Sequence, residues 1–92
     1  MTISQPPIEE LIEKVKDGDS QACRHLYDRY SKAMYNTAIR ITGNKADAED
    51  VLQESFAAAF MEIAGFAGRS SFGAWLRQIV VFKSIGVLKR KE

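Results

Sequence analysis

Between Lys45 and Ile63 the apolar residues recur at helical spacing. With about 100° of turn per residue, Ala48, Val51, Leu52, Ser55, Phe56, Ala59, Phe60 and Ile63 share one broad face, a stripe suited to packing on a core. Asp47, Asp50, Gln53 and Glu54 take the opposite face, with Ala57 and Met61 beside them. No lysine or arginine occurs between Lys45 and Arg69. These carboxylates therefore lack the cation three or four residues on that usually steadies an exposed helical acid. Such a face fits the docking of a basic partner. Asp47 and Glu49 also lie in the first turn, where acids favour the helix dipole whatever the function, so they serve either purpose.

The same spacing predicts three more helices. Ile8, Leu11, Ile12 and Val15 mark a short one over Ile8 to Lys16, after Pro6-Pro7. Asp17-Gly18-Asp19 ends it with a left-handed glycine. Ser20 is expected to cap a long helix from Gln21 to about Thr42, with Ala22, Leu26, Tyr27, Tyr30, Met34, Ala38 and Ile41 on its inner face. Cys23 beside that stripe reads as a buried packing residue. Gly43-Asn44 is a turn short enough to fold the two long helices into an antiparallel hairpin. Ala64 to Ser71 is a small, glycine-rich loop carrying Phe66 as an exposed-looking aromatic. Nothing alternates with period two. The fold class is all-α, a bundle of about four helices.

The last helix, Phe72 to about Lys91 behind a Ser71 cap, is apolar on two sides. Phe72, Trp75, Leu76, Ile79 and Phe82 form one stripe; Val81, Ile85 and Leu88 form another almost opposite. A helix of this kind is packed on both sides or belongs to a larger assembly. Gly86 weakens it by roughly 1 kcal/mol relative to alanine. Lys89-Arg-Lys-Glu92 closes the chain with no capping residue, which reads as the end of an excised domain.

Composition narrows the class. Ninety-two residues make one domain, and 46% hydrophobic with 27% charged residues is ordinary for a soluble globular chain. No apolar run reaches membrane-spanning length, and Met1 to Glu10 lacks the basic flank and apolar core of a secretory signal. A single cysteine fits a reducing cytoplasm. The net charge of +1 conceals a split: residues 1–62 carry a balance of −4, and residues 63–91 hold six bases and no acid. Two surfaces of opposite preference follow, the basic one suited to phosphate.

Catalytic chemistry is missing. His25 is the only histidine and has no cysteine or histidine at ligand spacing; no glycine-rich phosphate loop occurs; and Asp47, Glu49 and Asp50 lack the spacing of a calcium loop. The chain reads as a non-enzymatic protein with neither metal nor cofactor. Phe66, Arg69, Ser70, Ser71, Phe72, Trp75 and Arg77 interleave bases with aromatics, as single-stranded nucleic-acid binders do. Phe72 and Trp75 would serve equally as core anchors for the last helix. Arg69, Ser70 and Ser71, on a loop, favour contact.

Leu26-Tyr-Asp-Arg-Tyr30, Asp47-Ala-Glu-Asp-Val-Leu-Gln-Glu54 and Ser71-Phe-Gly-Ala-Trp-Leu76 together resemble a bacterial RNA polymerase sigma factor. More narrowly, the chain from about Ile8 to Lys91 is similar to region 2 of the extracytoplasmic-function (ECF) branch of the sigma-70 family. The resemblance implies that the acidic helix binds the coiled-coil clamp helices of the polymerase β′ subunit, through Asp47, Glu49, Asp50, Leu52, Gln53 and Glu54. It implies that the following loop and the last helix face the promoter −10 element, capture an extruded non-template base and help open the duplex. Arg69, Ser70, Ser71, Phe72, Trp75, Arg77, Lys83, Lys89 and Arg90 would make those contacts. An anti-sigma factor, where one exists, would cover the same surfaces.

Two positions depart from the family's pattern. Phe82 stands where a polar residue, often asparagine, is usual, and Gly86 where an aspartate is common. The helix-turn-helix of region 4, which reads the −35 element, is absent from this sequence. The alternative is a helical interaction module or adaptor that binds a basic partner without touching DNA, against which the basic half speaks.

Overall fold

In the computed structural model, which describes residues 6–92, Pro7 (φ −57°) leads into α1, Ile8–Lys16. The reading of Met1 to Glu10 as no secretory signal falls partly outside the described residues. Leu11, Ile12 and Val15 of α1 are buried. Gly18 (φ 87°) turns the chain into α2, Ser20–Thr42. The cap there is Asp19, not Ser20: its Oδ1 accepts from the amides of Gln21 and Ala22 at 2.9 and 3.2 Å. Two adjacent residues could each cap, and the carboxylate also answers the positive end of the helix.

Along α2, Ala22, Leu26, Met34 and Ala38 are buried. Ile39 packs against the core where Ile41 was expected to. Cys23 is only half-buried. Burial, and secondarily Asp19, pushes its thiol above the ordinary range, so it stays protonated, as a packing residue would. Gly43 (φ 65°) donates to the Ile39 carbonyl at 2.9 Å and closes the helix. Asn44 Oδ1 then accepts from the Asp47 amide at 3.0 Å and starts α3, Lys45–Glu62. A single turn of 3-10 helix, Ile63–Gly65, follows. Ser71 Oγ accepts from the Ala74 amide at 3.2 Å and caps α4, Phe72–Lys91.

Helix α2 touches α1, α3 and α4, and α3 and α4 pack on each other. All eight residues of the apolar stripe, seven on α3 and Ile63 in the 3-10 turn, face the core, Phe60 at its margin. Helix α4 corrects its expected face. The buried row is Phe72, Leu76, Val80, Ser84 and Val87, with Trp75 and Ile79 half-buried, and Phe82 is 79% exposed. Glycine at 73 permits close approach: a Cβ there would stand 3.1 Å from the Tyr30 ring. No strand occurs among the described residues, and no helix there is long and apolar enough to cross a membrane.

Ser55 and Ser84 lie fully buried with no hydrogen-bond partner for either Oγ among the described residues. An unpaired buried hydroxyl costs about 1–3 kcal/mol, and alanine keeps nearly the same shape. Ser84→Ala is accordingly expected to stabilise the domain by about 1 kcal/mol, raising the melting temperature by about 4–8 °C. A lower melting temperature by circular dichroism would mean that the hydroxyl finds a partner in solution.

Candidate functional site

The acidic side is built on α3. Asp50, Gln53 and Glu54 are exposed, as are Ala57 and Met61, the latter by 84%. Among the described residues, neither Asp50 nor Glu54 has a cation within 4 Å. Glu49 is exposed on the flank. Leu52, at 7% exposure, offers almost no surface, so it holds the helix down rather than presenting a contact. Asp47 departs from the expectation of an unpaired face, because Lys91 at the end of α4 forms an ion pair and hydrogen bond with it. The partner lies 44 residues away, beyond any rule of helical spacing.

Helix α2 extends this side. Gln53 Nε2 donates to Tyr27 Oη at 3.0 Å, which fixes the amide's direction. A shallow hollow of about 390 Å³ beside it is lined by Cys23, Arg24, Tyr27, Asp28, Gln53 and Phe60. In the sequence Tyr27 reads as part of the inner face of the long helix, and Asp28 only as part of the Leu26-Tyr-Asp-Arg-Tyr30 motif. Their place beside Gln53 comes from the hairpin.

The second site centres on the loop before α4. Phe66 is not an exposed aromatic: it is half-buried, 5.8 Å from Phe72 and 5.1 Å from Trp75 between ring centroids. Phe72 also meets Trp75 at 5.6 Å and Tyr30 at 5.4 Å. Tilted and edge-on rings at such distances attract beyond their buried area. Lys16 on α1 donates to the Phe66 carbonyl at 3.3 Å and ties the loop from the other side. Phe72 is buried and so anchors the loop without reaching a ligand. Ser71 Oγ accepts at the α4 cap. Ser71 stays exposed beside it, with its O–H free to donate, while Arg69, Ser70 and one side of Trp75 face outward around a hollow of about 330 Å³.

The other predicted basic residues do not form one patch. Arg77 lies two residues from Trp75, about 200° around the helix, and is exposed on the far side. Lys83 is half-buried on a second hollow, between α3 and α4, whose wall includes Trp75. Lys89 and Arg90 are exposed in the last turn, about 25 Å along the axis from Phe72 and close to the Lys91–Asp47 pair. The structure thus joins Arg69, Ser70, Trp75 and Lys83 along one strip and leaves Arg77 off it.

A family model described as sigma-70 region 2 matches residues 26–92. The ECF RNA polymerase sigma factor SigW of Bacillus subtilis is 33% identical over 85 residues, covering 92% of this chain and 46% of that protein. The ECF sigma factor BldN of Streptomyces coelicolor is 42% identical over 69 residues, 73% of this chain and 26% of its own length. For the ECF sigma-E factor of Haemophilus influenzae the values are 38% over 71 residues, 77% and 37%. The chain therefore spans less than half the length of these relatives. Among solved structures, an engineered region 2 of sigmaE in complex with GTAAAA superposes with a TM-score of 0.88 at 28% identity, covering 98% of this chain and 94% of that one.

Proposed function

We propose, for a chain that belongs to the sigma-70 region 2 family, the role of a transcription initiation module: it docks on core RNA polymerase and holds the opened promoter −10 element as single strand. The observation that carries this is the likeness, over nearly its whole length, to a region 2 bound to GTAAAA. The strip of Arg69, Ser70, Trp75 and Lys83 supports it locally, since it combines cations for phosphate with an aromatic face for a base. The −10 non-template strand would run along this strip. Asp50, Gln53, Glu54 and Glu49 on α3, with Asp28 on α2, would meet the β′ clamp helices. Asp47 joins them only where Lys91 releases it. Lys89 and Arg90, in the last turn, would reach DNA beyond the strip. The chemistry is binding and strand opening, with no bond made or broken by the chain.

The DNA side is tested by titrating single-stranded GTAAAA into the chain over a range of salt. Binding is expected to weaken steeply with salt, and each lost phosphate contact lowers the slope by roughly 0.7 for single strands. Arg69→Ala and Lys83→Ala should each reduce the slope by that amount, while Arg77→Ala should leave it nearly unchanged. An unchanged slope in the Arg69→Ala, Lys83→Ala double variant would place the nucleic acid elsewhere or remove it from the function.

A further inference from the structure

The loop that leads into α4 is held at Phe66. Its ring packs on Phe72 and Trp75, its amide donates to the Ile63 carbonyl at 3.0 Å, and its carbonyl accepts from Lys16 Nζ at 3.3 Å. Beyond it, no backbone amide or carbonyl of residues 67–70 takes part in a hydrogen bond among the described residues. Arg69 and Ser70 thus ride on a span whose backbone is hydrogen-bonded only at its two ends, Phe66 and Ser71. Because a peptide unit is planar, the direction of the Phe66 carbonyl also sets the direction in which that span departs.

Among the described residues, Lys16 is the one side chain of α1, α2 or α3 that hydrogen-bonds to this loop. Helix α1 has no need of it as a cap. The Glu13, Lys14 and Val15 carbonyls already accept from the amides of Asp17, Gly18 and Asp19 at 2.9–3.1 Å. The Lys16 ammonium also pairs with Glu13 at 3.5 Å, which balances its charge and keeps it over the loop. Its side chain is 27% exposed, against 50% for Lys14 in the same turn. The base of this reach is firm, since Leu11, Ile12 and Val15 are buried and α1 packs on the 3-10 turn.

We propose that Lys16, oriented by Glu13, is a positioning residue for the single-strand strip. By clasping the Phe66 carbonyl it holds Arg69 and Ser70 in the arrangement that the strand meets. This rests on the single-strand reading above and adds to it a residue of α1 that touches no nucleotide. Without the clasp the loop samples other arrangements, and affinity falls with the share of the binding-competent one. Since Lys16 acts through a carbonyl and its charge is met by Glu13, its loss removes no phosphate contact.

The test compares wild type, Lys16→Met, Lys16→Arg and Lys14→Met in two measurements. One is limited digestion by an arginine-specific protease, and the other is titration with single-stranded GTAAAA over a range of salt. Methionine keeps the stem of Lys16 and discards the donor. In Lys16→Met, cleavage after Arg69 is expected to be about five-fold faster and binding about five-fold weaker, the effect of one partly exposed hydrogen bond. The salt slope should stay that of wild type, and cleavage after Arg40, inside α2, should not change, because it requires wider opening. Lys16→Arg restores a charged donor and should recover most of both losses. Lys14→Met removes a charge from the same turn without touching the loop and should match wild type.

Wild-type cleavage after Arg69, or wild-type affinity, in Lys16→Met overturns the clasp. A salt slope lowered by roughly 0.7 would make Lys16 a direct phosphate contact and overturn it too. So would an equal rise in cleavage after Arg40, or equal weakening in Lys14→Met, since either assigns the effect to the fold or to charge alone. In those cases wild type still binds GTAAAA, and only this inference falls. If wild type does not bind, the single-strand reading falls and the positioning role with it.

Discussion

Truncation of Leu26 to alanine is expected to cost the domain about 3 kcal/mol and to lower its melting temperature by about 15 °C. Leu26 is fully buried on α2, the helix that touches each of the other three. A void at a fully buried position on the helix that packs against all three others cannot close without helices shifting against one another. In a chain this short, whose folded state holds a margin of only about 5–15 kcal/mol, that loss is a large share of the total. Two comparisons isolate the cause. Leu26→Met keeps the volume and should cost less than about 1.5 kcal/mol. Met61→Ala removes a side chain of similar size that is 84% exposed, and should stay within about 0.5 kcal/mol. Thermal melts of the three variants decide it: equal losses for Leu26→Ala and Met61→Ala would mean that α2 is not the centre of the core.

How much of this was legible in the sequence varies from helix to helix. On α3 the apolar residues fall in one stripe and the charges in another, so the buried face could be read residue by residue. On α4 nearly every direction carries an apolar residue, and periodicity alone has no way to choose. Phe82 drew the expected stripe toward itself because it is large and aromatic. The packing instead selected the row through Leu76, Val80 and Val87, where smaller side chains let α4 approach α2 and α3.

Phe66 was misjudged for a related reason. Inside a glycine-rich loop it has no periodic neighbours, and its burial arises from Phe72 and Trp75 on another element. The Lys91–Asp47 pair was likewise invisible, since it joins the end of α4 to the start of α3 across 44 residues. The motifs singled out two candidate surfaces. Which members of each motif point outward was a matter of packing, and that is where Leu52 and Phe72 left the set of possible contacts.

Replacing Glu54 by lysine is expected to weaken capture by the isolated β′ clamp helices at least thirty-fold, if the proposed docking on α3 is right. The size follows from charge pairing at interfaces, where disrupting a close pair costs about 2–5 kcal/mol, and a reversal adds repulsion from the partner's own cations. Folding should respond in the opposite direction. Glu54 and Asp50 stand one turn apart on an exposed face with no cation within 4 Å among the described residues, a mildly repulsive arrangement. Lysine at 54 turns this into an acid followed four residues later by a base, the favourable order, worth about 0.2–0.5 kcal/mol. The variant should thus melt no lower than wild type while losing its partner, and Asp50→Lys, with the order reversed, should lose binding with less gain in stability. A damaged fold cannot produce that pair of results, because it would lower the melting temperature and the capture together. Capture of Glu54→Lys at the wild-type level would leave the carboxylates of α3 as a solvated face, with the polymerase contact to be sought around the Tyr27–Gln53 hollow instead.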